Sequence, residues 1–248
     1  MEPVFRALEI AARTVVRATG TQITYRGLDN IPAAGGAVIA INHTGYLDFL
    51  PAALAAMFRG RRLRFMIKAE MQRVKAVDFL IRHTKTIPVD RRAGADARAV
   101  AVARLREGEI VGVYPEATIS RSFELKEFKT GASRMALEAQ VPTVPLVVWG
   151  AHRIWTKDHP KNLGRKKIPI TVAVGAALPP TGTAVELTDE LRAEMTELLH
   201  VVQQSYDHPR GAYWVPRWLG GSAPTMEEAR AREEAELAER ARNESENH

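Results

Sequence analysis

Short runs of branched apolar residues recur along this chain, and the longer stretches between them have helical composition. Residues 38–41, 65–67, 86–89, 110–114, 144–149 and 168–174 read as strands, and 22–26 reads as an edge strand. Between them, 49–57, 69–82, 95–106, 135–140 and 189–204 read as helices, the last with Leu191, Met195, Leu198, Leu199 and Val202 on one face. Strands alternating with helices at this spacing predict an α/β layered domain, with a mostly parallel or mixed central sheet flanked by helices. With 248 residues, 46% of them hydrophobic, there is material for one sizeable core, placed here at 21–222.

The first buried run ends in Asn42-His43, and the next helix begins near Asp48 with Pro51 in its first turn, where proline is tolerated. In open α/β sheets such a strand exit faces the crevice where ligands collect. His43 and Asp48 would stand about 140° apart on one helix, so they meet only if His43 lies in the loop and Asp48 turns back from the helix start. A carboxylate against one ring nitrogen fixes the tautomer and leaves the other nitrogen to accept a proton. Taken alone, the two residues serve equally as a turn cap and a helix cap.

Charge narrows the partners. The formal charge is +6 and the pI near 9.7, yet residues 225–248 hold eight Glu and four Arg, so the tail carries −4 and the body +10. A basic body suits an anionic membrane surface, phosphorylated substrates or nucleic acid. Cysteine is absent, which removes disulfides and any thiol nucleophile. No apolar run approaches the roughly 18–20 residues of a membrane span, and Arg6, Glu9, Arg13 and Arg17 interrupt the N-terminus where a signal peptide needs an apolar core. Residues 1–20 instead form an amphipathic segment, with Val4, Phe5, Leu8, Ala12, Val15 and Val16 in a stripe, either lying in a membrane interface or packed on its own domain. A second membrane contact or a solvated basic loop is expected at 58–68, where cations and large apolar groups interleave. The tail at 223–248 has Leu237 as its one large apolar residue after Met226 and reads as a solvated helix or a frayed, disordered end.

Three more polar stations follow His43, each at a strand end. They are Val89-Asp90-Arg91-Arg92, Pro115-Glu116-Ala117-Thr118-Ile119-Ser120-Arg121 and Val141-Pro142-Thr143-Val144-Pro145. Polar groups from several strand ends converge on one crevice in such a sheet. With these blocks in order, the chain resembles the 1-acylglycerol-3-phosphate acyltransferase family of glycerolipid acyltransferases. That family carries Asn-His-x4-Asp, Val/Ile-Asp-Arg, Pro-Glu-Gly-Thr-Arg-Ser and Val-Pro-x-x-Pro, and the likeness covers about residues 20–180. The third block departs from the pattern: Ala117 and Ile119 stand where the family has Gly and Arg. Either Arg121 replaces the missing cation or the acceptor is atypical.

The resemblance implies transfer of an acyl group from a thioester, on CoA or acyl carrier protein, to the hydroxyl of a lysophospholipid. His43 would be the base and Asp48 its orienting partner. Arg91, with Arg92 behind it, would grip the acceptor phosphate, since a guanidinium fork matches phosphate oxygens. Lys68 and Lys129 would add cations, Glu116 and Thr118 would position the glycerol part or the local backbone, and Arg121 would complete the set. The acyl chain would lie beside the 49–57 helix. A thioester is already activated, so no covalent intermediate is required, and the chain has no Gly-x-Ser-x-Gly elbow. Neither a cofactor nor a metal is expected, because His43, Asp48 and Glu116 lack compact ligand spacing and His83, His152, His159 and His200 are scattered. The expected setting is the cytoplasmic face of the cell membrane, bound peripherally. The alternatives are another acceptor, such as glycerol 3-phosphate or a different lysolipid, a membrane scaffold without catalysis, and a nucleic-acid-binding protein. The last explains the charge but not the His-x4-Asp, and no nucleic acid is expected as partner.

Overall fold

The computed structural model describes residues 3–90 and 94–246. Strands β1 (Gln22–Arg26), β2 (Ala37–Ile41), β3 (Leu63–Lys68), β4 (Ile87–Val89), β5 (Ile110–Val113), β6 (Thr143–Trp149) and β7 (Pro169–Val174) form one seven-stranded sheet in the order β1-β7-β6-β2-β5-β3-β4. From β6 to β4 every pairing is parallel; β7 runs antiparallel to β6, and β1 follows β7 in parallel. The sheet is therefore mixed, and the carboxyl ends of β2, β5, β3, β4 and β6 share one edge.

Helices α1 (Pro3–Thr19), α2 (Phe49–Phe58), α3 (Lys75–Thr84), α4 (Gly94–Arg106), α5 (Gly131–Ala139), α6 (Ala184–Gln204) and α7 (Met226–Glu246) surround it. The central strand β2 is buried along its whole length, and its side chains alternate between two cores. Val38 and Ala40 join Leu105, Met135 and Leu191 from α4, α5 and α6, while Ala37, Ile39 and Ile41 join Ala52, Ala55 and Ala56 of α2. Each buried Leu or Ile contributes roughly 1.5–3 kcal/mol relative to exposure, which is why a sheet apolar on both faces needs both helical layers.

Several local readings change. The helix expected over 69–82 is divided: a 3-10 turn covers Ala69–Arg73, Val74 is extended at φ −87°, ψ 110°, and α3 begins after it. Helix α6 starts ahead of residue 189 because Thr183 and Glu186 form a reciprocal capping box, each side chain accepting the other's backbone N–H. The basic stretch 58–68 is used internally. Arg61 donates to the carbonyls of Pro32, Gly35 and Gly108, Arg62 pairs with Glu9 of α1, and Arg64 is buried against Glu109. Phe5 of α1 packs beneath the guanidinium groups of Arg62 and Arg64, leaving Ile10 (59% exposed) and Val15 (52%) on the outer side of that helix.

The tail is a helix with most of its residues in solvent, one of the two readings given for it, but α7 also touches the domain through Met226, Ala229, Glu233 and Glu236, which share one helical face. Two of those four contacts are carboxylates directed at cations, so an apolar stripe was the wrong feature to require. Among the described residues, no helix is long and apolar enough to cross a membrane.

Candidate active site

At the exit of β2 the Asn42 side chain continues the sheet, donating to the carbonyl of Val148 at 3.1 Å and accepting the Val148 N–H at 2.7 Å. The next residue, His43, leaves the strand with its backbone clamped on both sides. Its N–H donates to Glu116 Oε1 at 2.7 Å, and its carbonyl accepts the Ser120 N–H at 2.7 Å. Its ring stacks on Tyr114, centroids 4.1 Å apart, at the end of β5. Neither Tyr114 nor Ser120 stands out in the sequence, because a stacking ring and a backbone donor carry no motif of their own.

Asp48 stands immediately before α2, and its side chain is fully buried. Oδ2 accepts the N–H groups of Thr44 (2.8 Å) and Gly45 (2.7 Å) and faces His43 Nδ1 at 3.3 Å. Burial holds this carboxyl above the usual carboxylate range, and His43 and the two N–H donors offset only part of that. The turn is close-packed: a Cβ on Gly45 would meet the Cα of His152 at 2.8 Å, so glycine is required for that approach. His152 is buried and held neutral down to about 3 by desolvation, with its Nδ1 3.4 Å from the Thr44 hydroxyl. With Nδ1 directed at Asp48, Nε2 of a ring whose side chain is 20% exposed is the nitrogen left for a substrate proton.

Glu116 serves the local backbone. One carboxyl oxygen takes the His43 N–H and the other the Lys126 N–H at 3.1 Å, which ties the His43 loop to the segment that follows the third block. Burial pushes its carboxyl up to about 8 against both donors and Lys126. Ala117, where glycine is the family's choice, sits in the left-handed region at φ 61°. Ile119, in place of the family's arginine, is buried.

The remaining cations divide. Arg121, only 9% exposed, is paired with Asp158 and with Glu236 of α7, so it does not stand ready for a substrate. Its guanidinium holds Glu236 at about 2. Thr118 donates to Glu233 at 2.7 Å rather than facing the crevice. Lys129 is exposed, and its backbone N–H returns to the Pro115 carbonyl at 2.9 Å, fixing the loop that opens α5. Lys68 ends β3 in register with Val89 of β4, beside the strand that leads to Asp90. Arg91 and Arg92 lie outside the described residues. Among the described residues no group of three or more His, Asp or Glu side chains is arranged to hold a metal ion.

This geometry has counterparts. A profile of the Acyltransferase family matches residues 22–149, from β1 to the end of β6 and across the whole His43 site. The chain belongs to the Acyltransferase family. Among curated relatives this acyltransferase is 28% identical over 180 residues to the 1-acyl-sn-glycerol-3-phosphate acyltransferase of Bacillus subtilis, covering 71% of this chain and 87% of that one. It is 27% identical over 150 residues to the enzyme of that name from Borreliella burgdorferi, spanning 58% of each chain. The crystal structure of the 1-acyl-sn-glycerophosphate acyltransferase PlsC from Thermotoga maritima shares the fold, with a TM-score of 0.64 at 16% identity over 84% of this chain and 86% of that one. Helix α7 lies beyond the matched region of the acyltransferase profile.

Proposed function

We propose that this acyltransferase moves a fatty acyl group from acyl-CoA, or from acyl carrier protein, to the sn-2 hydroxyl of 1-acylglycerol-3-phosphate, making phosphatidic acid at a membrane surface. The observation that carries the reading is the Asp48–His43 pair at 3.3 Å, with one carboxylate oxygen shared between the ring and two loop N–H groups. His43 Nε2 takes the acceptor hydroxyl proton as the oxygen attacks the thioester carbonyl. The tetrahedral centre collapses with release of the thiolate, and the imidazolium returns the proton to that sulfur. Asp48 orients the ring and stabilises its charged form. No cofactor takes part, since the thioester is a co-substrate. The relatives' names support the lysophosphatidate acceptor.

The acceptor phosphate is assigned to Arg91, with Arg92 and Lys68 nearby in sequence and strand register. The outer face of α1, with Ile10 and Val15 beside Arg6, Arg13 and Arg17, is assigned to the anionic cytoplasmic leaflet. The test is CoA release from palmitoyl-CoA across lysophosphatidate, glycerol 3-phosphate and monoacylglycerol. The expected result is preference for lysophosphatidate, with loss of at least roughly 100-fold in His43→Ala. Equal turnover of monoacylglycerol would remove the phosphate from the specificity, and a His43→Ala enzyme at near wild-type rate would remove the base.

A further inference from the structure

Outside the His43 site a dense group of paired charges lies where α7 crosses the third block. The Thr118 hydroxyl donates to Glu233 Oε1 at 2.7 Å, and the Lys126 ammonium donates to Oε2 at 2.6 Å. The Arg121 guanidinium donates to Glu236 Oε2 at 2.5 Å, and the Lys157 ammonium reaches the same oxygen at 3.3 Å. Asp158 takes another edge of Arg121. Glu233 and Glu236 are each held by at least two donors, the arrangement an oxygen-rich anion receives from a hydroxyl, an ammonium and a guanidinium.

The charges balance only while α7 is in place. Arg121, Lys126 and Lys157 face Asp158, Glu233 and Glu236, and lifting the helix removes two of those three carboxylates. Among the described residues the other ties of the helix include the apolar contacts of Met226 and Ala229 and, at its first turn, an exposed Arg217–Glu228 ion pair, while Leu237 points to solvent. Eight Glu against four Arg make α7 an acidic segment on a basic body. Such contacts weaken wherever a competing anion or a negative surface is near. The cradle is also close to the chemistry, because Glu116 joins the backbone of Lys126 to that of His43 and Ser120 holds the His43 carbonyl.

We propose that Thr118, Arg121, Lys126 and Lys157 form a phosphate-binding cradle which the chain's own Glu233 and Glu236 occupy, so that α7 is an internal competitor displaced by a phosphate group. The phosphate comes either from an anionic lipid headgroup or from solution. The site stands whether or not lysophosphatidate is the acceptor, because its test reads binding and helix release rather than turnover.

The experiment is hydrogen exchange of α7 amides in the full chain, with phosphatidylglycerol vesicles, phosphatidylcholine vesicles, inorganic phosphate, and sodium chloride at matched ionic strength. Faster exchange across 226–246 with phosphatidylglycerol alone places the ligand on a membrane; with inorganic phosphate as well, it makes the cradle a general phosphate site. Either supports the proposal, and no change beyond the chloride control overturns it. The double variant Glu233→Gln, Glu236→Gln should free α7 without ligand and tighten inorganic phosphate binding about tenfold by removing the competitor. Glu227→Gln with Glu239→Gln makes the same charge change on residues outside the contact and should do neither. Equal effects from the two pairs would reduce the cradle to net charge and overturn it. Arg121→Gln with Lys126→Gln should weaken phosphate binding, and unchanged affinity there would also overturn it.

Discussion

The His43 loop and the third-block rim sit side by side but are held by different forces. Residues 42–48 are fixed by hydrogen bonds among buried groups: Asp48 pins two loop N–H groups, Thr156 donates to the Thr44 carbonyl at 2.7 Å, and no non-glycine residue there has positive φ. The neighbouring loop, 117–126, contains two non-glycine residues in the left-handed region, Ala117 and Phe123, and its outer side is fastened by charges from α7. Buried hydrogen bonds are poorly screened by salt, whereas partly exposed ion pairs are. The His43 loop is thus insulated from ionic conditions, and the rim that α7 fastens is left sensitive to them.

The sharpest break in that contrast is Asp48→Asn. The amide keeps one oxygen for the loop N–H groups but cannot balance the imidazolium, so kcat should fall about 100-fold while the protein remains folded. Steady-state kinetics beside a thermal melt check this. A variant that merely loses twofold in kcat would make Asp48 a helix-start residue and nothing more.

Glu116 links the two regions, and removing it should disturb both. In Glu116→Ala the N–H groups of His43 and Lys126 lose their acceptor, a cost of about 2–4 kcal/mol measurable by urea denaturation. The same residue predicts a pH dependence. Its folded value near 8 lies above the ordinary 4.5, so between those values the native state holds the extra proton. Its contribution is therefore fully present below pH 4.5 and is lost as pH rises through 8. Glu116→Gln, which cannot titrate, should flatten the decline in stability between pH 5 and pH 8. If wild type and variant show the same slope, the proton is elsewhere.

These two regions also differ in how far they could be read in advance. The β2 exit, the loop position of His43 and the turn-back of Asp48 follow from apolar patterning, helix geometry and Pro51, all of which are local. The mixed sheet was legible as a class, but the reversal of β7 and β1 was not, because strand direction depends on partners far apart in sequence. The pairing of Arg121 and Thr118 with α7 was not legible, because nothing near them in sequence competes for them. Their partners, Glu236 and Glu233, are 115 residues away on a helix whose charged face resembles a solvated one. Glu116 was legible as a residue that positions either the glycerol part or the local backbone, and its carboxylate accepts two backbone N–H groups, those of His43 and Lys126.

Ala117 offers the smallest and most local comparison. Its φ of 61° costs an L-residue about 1–2 kcal/mol, and glycine removes the cost while giving back part of the gain through a freer unfolded chain. Ala117→Gly should therefore raise stability by about 0.5–1 kcal/mol, read as a shift of the denaturation midpoint at constant m-value, with kcat unchanged. Gly45→Ala, the reverse exchange on the His43 side, drives a Cβ to 2.8 Å from the His152 backbone and should destabilise instead. Opposite signs would establish that the rim tolerates strain the His43 loop does not. Destabilisation by Ala117→Gly would instead mean that the 117–126 loop is as well determined as the loop it borders.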